Sequence, residues 1–392
     1  MVNVFFLGLI SFFTDISTEM VYPLIPLYLT ATLGATPALI GVIEGIAESV
    51  AGLMKVYGGY ISDKLKKRKM VAFIGYSSGV LYKFALLLAG SWAGILIARI
   101  IDRTGKGIRV APRNALVSES ADKKHLGRAF GLHKTLDTAG AALGILITYF
   151  FLSNLTGDIN FNRIFLISLI PAFIGLSMFA FVKEKKQAAP KPAERISIKF
   201  LFQSFKTLDR RLKLYLLVAL LFTLGNSSKT FLLLKSSALG YSDSAVVFLY
   251  FVYNASAAVM AVPFGGLSDR VGRKKLLVAG YLVFAIAYFG FAFAADRSII
   301  AVSFVLYGVH AAMIVGVERA FITEIAPQEL LGTMYGLHAT IVGVALLPAS
   351  VVTGFLWVTF GPVVPFVYGA CLSLAAAIIL LLFLNHPVSK QP

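Results

Sequence analysis

Cysteine is nearly absent: Cys371 is the single one among 392 residues, so one chain can form neither a disulfide nor a cysteine-based metal site. Charged residues are scarce at 14%, and acidic ones scarcer still, 19 against 36 lysines and arginines. With 58% hydrophobic residues, a soluble domain of this length is excluded. No P-loop or H-E-x-x-H stretch occurs, and the G-x-S-x-G match at Gly75 to Gly79 lies inside a long apolar run instead of at a strand-to-helix turn, so the usual hydrolase, nucleotide and zinc-protease sites are not indicated. Gly105-Lys106-Gly107 is too short to be a phosphate loop. The first apolar run, from Val4, lacks a basic leader and is too long for a cleaved signal, so it reads as a retained helix.

What is abundant is long apolar sequence, with a mean hydropathy of +0.82. Runs of roughly 20 residues recur from end to end, each able to cross about 30 Å of hydrocarbon as a helix, whereas a membrane barrel shows short alternating segments. Twelve spans are expected, at 4–30, 37–62, 69–89, 92–116, 127–152, 162–183, 212–236, 243–267, 275–294, 299–323, 331–357 and 362–384. The net charge of +17 does not point to nucleic acid, because the basic residues collect in alternate loops, at 64–69, 123–128, 183–213 and 270–275. That pattern places both termini and the central loop in the cytoplasm. The central stretch 184–211 reads as a charged linker, and Ile196–Leu208 within it as a helix on the membrane surface.

The fourth span is the least apolar. Arg99, Asp102, Arg103, Lys106, Arg109 and Arg113 fall on one helical stripe. Charge at bilayer depth costs at least about 2.5 kcal/mol per residue, so this stripe faces a bundle interior or a wet cavity. It suggests either an anionic solute group or an ion-paired wall. The stretch also recurs: Arg113, Glu119, Gly127, Gly131, Leu132 and His133 are echoed by Arg319, Glu324, Gly332, Gly336, Leu337 and His338. The spacing is 206 residues at the arginines and 205 at the later positions, so the chain is a duplicated half.

Other polar groups in the spans define candidate sites. Asp15 and Glu19 are one turn apart in span 1, Asp15 about 17 Å along and near the midplane. Glu44, Glu48 and Lys55 share a face of span 2, and Asp15, Glu19 and Glu48 are candidate partners for Arg99 or Arg103. Pro23 and Pro26 are expected to bend the outer end of span 1. Span 5 carries His133, Lys134, Asp137, Gly140 and Gly144. The second half is barer, offering Asn226, Lys229, Tyr250, Tyr253, Asn254 and His310 for solute contact. His133 and His338 stand at equivalent positions and are either titrating or structural groups.

The loop after span 2, Gly59 to Arg68, carries Asp63, Lys64 and Arg68, and its second copy, Gly265 to Lys274, carries Asp269, Arg270, Arg273 and Lys274. It resembles the signature loop of the major facilitator superfamily, G-x-x-x-D-(R/K)-x-G-(R/K)-(R/K); the second copy matches in full and the first has Lys66 in place of the glycine. Arg99 with Gly105 and Gly107 is similar to a second motif of that family, with the glycines displaced by one. Gly131, Gly140 and Gly144 faintly resemble its antiporter motif, without the proline. The resemblance implies an all-α membrane protein, twelve transmembrane helices in two pseudo-symmetric six-helix bundles, 1–183 and 212–392, around a central cavity. It implies a secondary transporter and not an enzyme, with no cofactor, working as a monomer in the inner membrane by alternating access.

Within that family the acidic residues of the first half favour proton-coupled export of a small organic solute, an anionic or metal-chelating one of siderophore type. Asp15, Glu19, Glu48 and Asp137 would carry protons, and Arg99, Asp102, Arg103 and Lys106 would contact the solute. The two signature loops, with Arg113, Glu119, His133, Arg319, Glu324 and His338, would form gates. Multidrug export of lipophilic cations, uptake by symport and a non-transporting membrane enzyme or sensor are the alternatives.

Overall fold

The computed structural model describes residues 2–65, 67–121, 126–154, 160–184, 208–327 and 331–383. Most of the linker, including 196–207, lies outside them, as do Lys66 and the Asp63 side chain. Fifteen α-helices follow one another among the described residues: α1 (Val2–Val21), α2 (Leu24–Ala31), α3 (Pro37–Leu65), α4 (Arg68–Leu87), α5 (Trp92–Glu119), α6 (Leu126–Ser153), α7 (Phe161–Ser177), α8 (Arg210–Gly225), α9 (Thr230–Ala238), α10 (Asp243–Val271), α11 (Arg273–Phe293), α12 (Arg297–Val315), α13 (Val317–Ile325), α14 (Leu331–Phe360) and α15 (Val364–Phe383). Ten helical stretches are long and apolar enough to cross a membrane. The other two, α3 and α5, have the length, 29 and 28 residues, and carry the ionic residues. This is an all-α, twelve-span membrane protein.

Three spans are broken, each for a local reason. Pro23 opens α2 behind α1, where the sequence predicts a bend. Span 7 stops at Gly225 and resumes at Thr230, across Asn226-Ser227-Ser228-Lys229, where the Ser228 backbone N–H donates to the Ser350 hydroxyl at 3.3 Å. The two breaks sit at equivalent places in the duplicated halves. Span 10 is interrupted at Gly316.

The chain divides into two compact units, one comprising 1–195 and 229–251, the other 196–228 and 252–392. In the first, α1 packs on α6 and α7, and α5 lies between α3 and α4. The α1–α6 contact keeps one register. A side chain on Gly8 would collide with Leu136, one on Gly140 with the Phe12 carbonyl and one on Gly144 with the Ile16 carbonyl, while Thr148 donates to the Met20 carbonyl at 2.8 Å. Each pair is 128 residues apart. Glycine at these positions lets two backbones touch, the way helices adhere in lipid where no hydrophobic gain is available. The two motif glycines of span 4 do the same on opposite sides: Gly105 admits Ser78 of α4, and Gly107 admits Ala51 and Met54 of α3. In the second unit α11 packs on α12 and α15, and α8 on α14 and α15, with Gly225 against Gly369.

Polar locks complete the packing. Glu44 of α3 and Arg99 of α5 are each about 1% exposed and meet through two hydrogen bonds, of 2.9 and 2.7 Å. At the α10–α11 turn Gly272 has φ +99°, the left-handed backbone that favours glycine, which accounts for the glycine of the second signature loop.

Three stability outcomes follow, read as thermal unfolding of the purified protein in detergent. Gly140→Ala places a Cβ 2.2 Å from the Phe12 carbonyl and should cost about 1–3 kcal/mol. Gly265→Ala, which meets open space, should leave the midpoint unchanged or raise it. Glu44→Ala strands a buried guanidinium and should cost about 3–5 kcal/mol, with much of the loss recovered when Arg99→Met is added.

Candidate functional site

The first unit gathers most of the ionic candidates. Helix α5 supplies the stripe, and its inward side buries Arg99, Asp102, Arg103 and Arg109. Glu44 and Glu48 are one turn apart on α3, and Arg99 and Arg103 one turn apart on α5. Two rungs result: Arg99 on Glu44, and Arg103 on Glu48 at 2.9 Å. Sequence reasoning named Glu48 among the candidate partners but did not single out Glu44. Asp102 sits between the guanidiniums, 3.6 Å from Arg99 and 3.8 Å from Arg103, and its Oδ2 makes no hydrogen bond. Both guanidiniums lie over the ring of Tyr22, at 5.3 and 5.5 Å. Fixed positive charge is thus matched by carboxylates held on a neighbouring rigid helix, so the wall is ion-paired. Lys106 is half-buried on the same helix.

Facing this wall, α1 and α6 bring further groups. Asp15 and Glu19 are half-buried. The Asp15 carboxyl is a hydrogen-bonding neighbour of Asp137 on α6. Asp137 also receives Lys134 at 2.7 Å and stands 3.8 Å from Arg113. Glu19 accepts from the Tyr250 hydroxyl at 3.1 Å. Lys229, at the start of α9, is in the same electrostatic neighbourhood as Glu48 and Tyr22. Toward the end of the bundle that carries the basic loops, Ser11 joins the Tyr76 hydroxyl and His133 Nε2, each at 2.9 Å, and the Arg109 guanidinium covers the Tyr76 ring at 4.6 Å.

The second unit is built differently. His310 is buried, its Nδ1 2.8 Å from the Gly280 carbonyl, among Phe222, Phe284 and Tyr307. It is packed as a core group. Asn226 accepts from Tyr307 at 3.1 Å, and Tyr253 lies against the same ring at 5.2 Å. Asn254 is half-buried on α10. The symmetric histidines have diverged: His338 pairs with Glu318 at 3.1 Å and stacks on Tyr215.

The gate candidates fall into two equivalent clasps, one within each unit. Arg68 pairs with Glu119, and Arg273 with Glu324 at 3.3 Å and with Asp269 at 3.5 Å. Both glutamates therefore pair with the arginine of the signature loop and not with Arg113 or Arg319. The Arg68 backbone also donates to Glu184, Lys69 to the Val182 carbonyl and Lys274 to the Leu381 carbonyl. Lys64, Arg270 and Arg319 are exposed. Lys235 on α9, 4% exposed, went unnoticed at the sequence level, and so did Lys83 on α4, with no exposed surface. Its signal was present as the single charge in the interior of span 3. Among the described residues no group of three or more His, Cys, Asp or Glu side chains is placed to hold a metal ion.

Comparison with known proteins agrees with this architecture. The sequence profile of the Major Facilitator Superfamily matches residues 7–253 and 217–392. An uncharacterized MFS-type transporter of Methanocaldococcus jannaschii is 37% identical over 97% of this chain and 94% of its own. The multidrug resistance protein MdtH of Photorhabdus laumondii is 28% identical over 33% of this chain and 32% of its own. The crystal structure of the nucleoside transporter NupG superimposes with a TM-score of 0.80 at 14% identity, over 99% of this chain and 100% of that one; at that identity the likeness concerns the fold. The broken first and seventh spans, the duplicated loop motifs and the full-length relationship lead to one conclusion: the chain belongs to the Major Facilitator Superfamily and is a membrane transporter.

Proposed function

We propose that this transporter is a proton-coupled antiporter of the inner membrane, working by alternating access and exporting a small organic solute. One observation carries the reading: the Asp15 carboxyl lies within hydrogen-bonding reach of Asp137. Two carboxyl groups share a hydrogen bond only when one of them holds a proton. Asp137 is already compensated by Lys134 and Arg113, so Asp15 is the group that loads and unloads. Glu19, one turn further along α1 and bonded to Tyr250, is the second acid on that route. Both histidines and the two loop clasps take gating roles in this scheme.

The solute is inferred from what remains available. Arg99 and Arg103 are engaged by Glu44 and Glu48, which leaves Lys106, half-buried on the same stripe, for an anionic or chelating group. The engaged arginines equally favour a second reading, export of lipophilic cations attracted to Asp15 and Glu19. The kinship with MdtH, a multidrug resistance protein by name, supports it.

The test uses the purified chain in liposomes loaded with a pH-sensitive dye, with gradients of salicylate, ferric citrate or ethidium imposed in turn. Antiport predicts proton movement opposite to the solute, lost in Asp15→Asn. Movement in the same direction would indicate uptake by symport and end the antiport reading. Replacing Lys106 with Gln should raise the KM for salicylate or ferric citrate by about tenfold, the weight of one charge-assisted hydrogen bond, and leave ethidium unchanged. An effect confined to ethidium in Asp15→Asn and Glu19→Gln, with Lys106→Gln silent throughout, selects the cation reading.

A further inference from the structure

Residues 229–251 come from the second half of the duplicated sequence, yet by contact they belong to the first unit, and α10 passes to the second unit after Phe251. They comprise Lys229, α9 and the first turns of α10. Both broken spans take part in their docking: α2, beyond the break of span 1, packs on α9, beyond the break of span 7. The two segments stand at the end remote from the basic loops, because α3 and α10, which follow them, each run into a signature loop. Helix α2 contains no Asp, Glu, Lys or Arg, and α9 has only Lys235. Apolar helix contact gains little in lipid, so the polar and aromatic contacts beside it decide whether it holds.

Two buried tyrosines make those contacts. Tyr22 occupies the break between α1 and α2, and its ring lies 5.5 Å from that of Tyr250 on α10. The Tyr250 hydroxyl donates at 3.1 Å to Glu19, three residues before Tyr22. One turn earlier than Tyr250 region, Phe248 lies 5.2 Å from the Tyr149 ring of α6. Tyr22 is fixed from another direction as well, by the guanidiniums of Arg99 and Arg103 at 5.3 and 5.5 Å. The arginine ladder thus holds Tyr22, and Tyr22 with Glu19 holds Tyr250. A hydroxyl on a carboxylate makes a charge-assisted bond, about twice as strong as a neutral one.

We infer that Tyr22, Tyr250 and Glu19 form a latch that keeps 229–251 docked on the first unit and shuts the solute path at the end remote from the basic loops. The inference rests on the alternating-access part of the reading above and names the residues that hold that end closed. Tyr250 does two separate things, its hydroxyl binding Glu19 and its ring meeting Tyr22. Tyr22 is a positioning residue that ties the latch to the arginine ladder. Once the latch parts, 229–251 can follow the remainder of α10.

The latch is tested by access, without transport. Cys371→Ser removes the native thiol, and Ser236→Cys places one on α9 at a position with no exposed surface. The purified chain in liposomes is then treated with a membrane-impermeant maleimide. Tyr250→Phe keeps the ring and drops the hydroxyl, and labelling should speed up about tenfold, the weight of one charge-assisted hydrogen bond. Tyr22→Leu, which removes the ring contact, should also speed it up. Melting temperatures close to the parent's would show that the access is local opening and not unfolding; if Tyr22→Leu unfolds, Tyr250→Phe alone decides. Unchanged labelling in folded Tyr250→Phe overturns the latch, even where solute drives protons. Faster labelling in a protein that moves no protons with any solute keeps the latch and ends the antiport reading.

Discussion

Everything in the first unit depends on how charge is made tolerable at membrane depth. Helix α5 carries Arg99, Asp102, Arg103, Lys106, Arg109 and Arg113 through a region where hydrocarbon would otherwise surround it. The solution is geometric. Glu44 and Glu48 repeat with the same one-turn spacing as Arg99 and Arg103, so two parallel helices meet as a two-rung ladder. A bidentate Arg–carboxylate contact fixes orientation as well as distance, and removing either partner would leave its mate without compensation. The ladder therefore sets the register of α3 on α5, and that register decides which groups remain for chemistry.

Close backbone contact makes the ladder reachable. Gly107 brings α5 against Ala51 and Met54 on the α3 side, and Gly105 does so against Ser78 on the α4 side. With larger residues the helices would stand further apart and the side chains would no longer span the gap. On the other side of the unit, the constant offset of 128 residues between α1 and α6 is held by Gly8, Gly140 and Gly144. That contact carries Asp15 and Asp137 toward one another. The glycines that resemble family motifs are thus positioned by packing, and the ionic groups inherit their places from them.

Periodicity was the reliable part of the sequence. Hydropathy marked ten of the twelve spans, helix length the remaining α3 and α5, and the 3.6-residue repeat placed the α5 stripe on one inward face. The duplication at 205–206 residues marked Glu119 and Glu324 as equivalent but grouped them with Arg113 and Arg319, whereas the structure pairs them with Arg68 and Arg273. What could not be read was register between helices. Glu44 and Glu48 lie on the same face, and choosing Glu44 for Arg99 requires knowing how far α3 is slid along α5. Lys83 was missed for a related reason: a single lysine among apolar residues has no period, and only the packing of α4 on α5 reveals that it is buried. His310 shows the opposite error. Its place near midplane suggested solute contact, but a backbone carbonyl and three aromatic rings enclose it.

The two halves share a backbone plan and differ in what they hold. Span 1 and span 7 break at equivalent points, yet the first presents Asp15 and Glu19 while the second presents Asn226 and two serines. His133 is bonded to a serine and His338 to a glutamate. Ionic residues dominate the interior of the first unit, and stacked rings such as Phe284 on Tyr288 dominate the second. Duplication supplies two bundles with the same packing, and divergence then has a natural division of labour. Charge at membrane depth needs rigid, compensated surroundings, and the ladder of the first unit provides them. The aromatic interior of the second unit instead holds His310 against the Gly280 carbonyl and among three rings, a titratable group fixed by packing and not by paired charges.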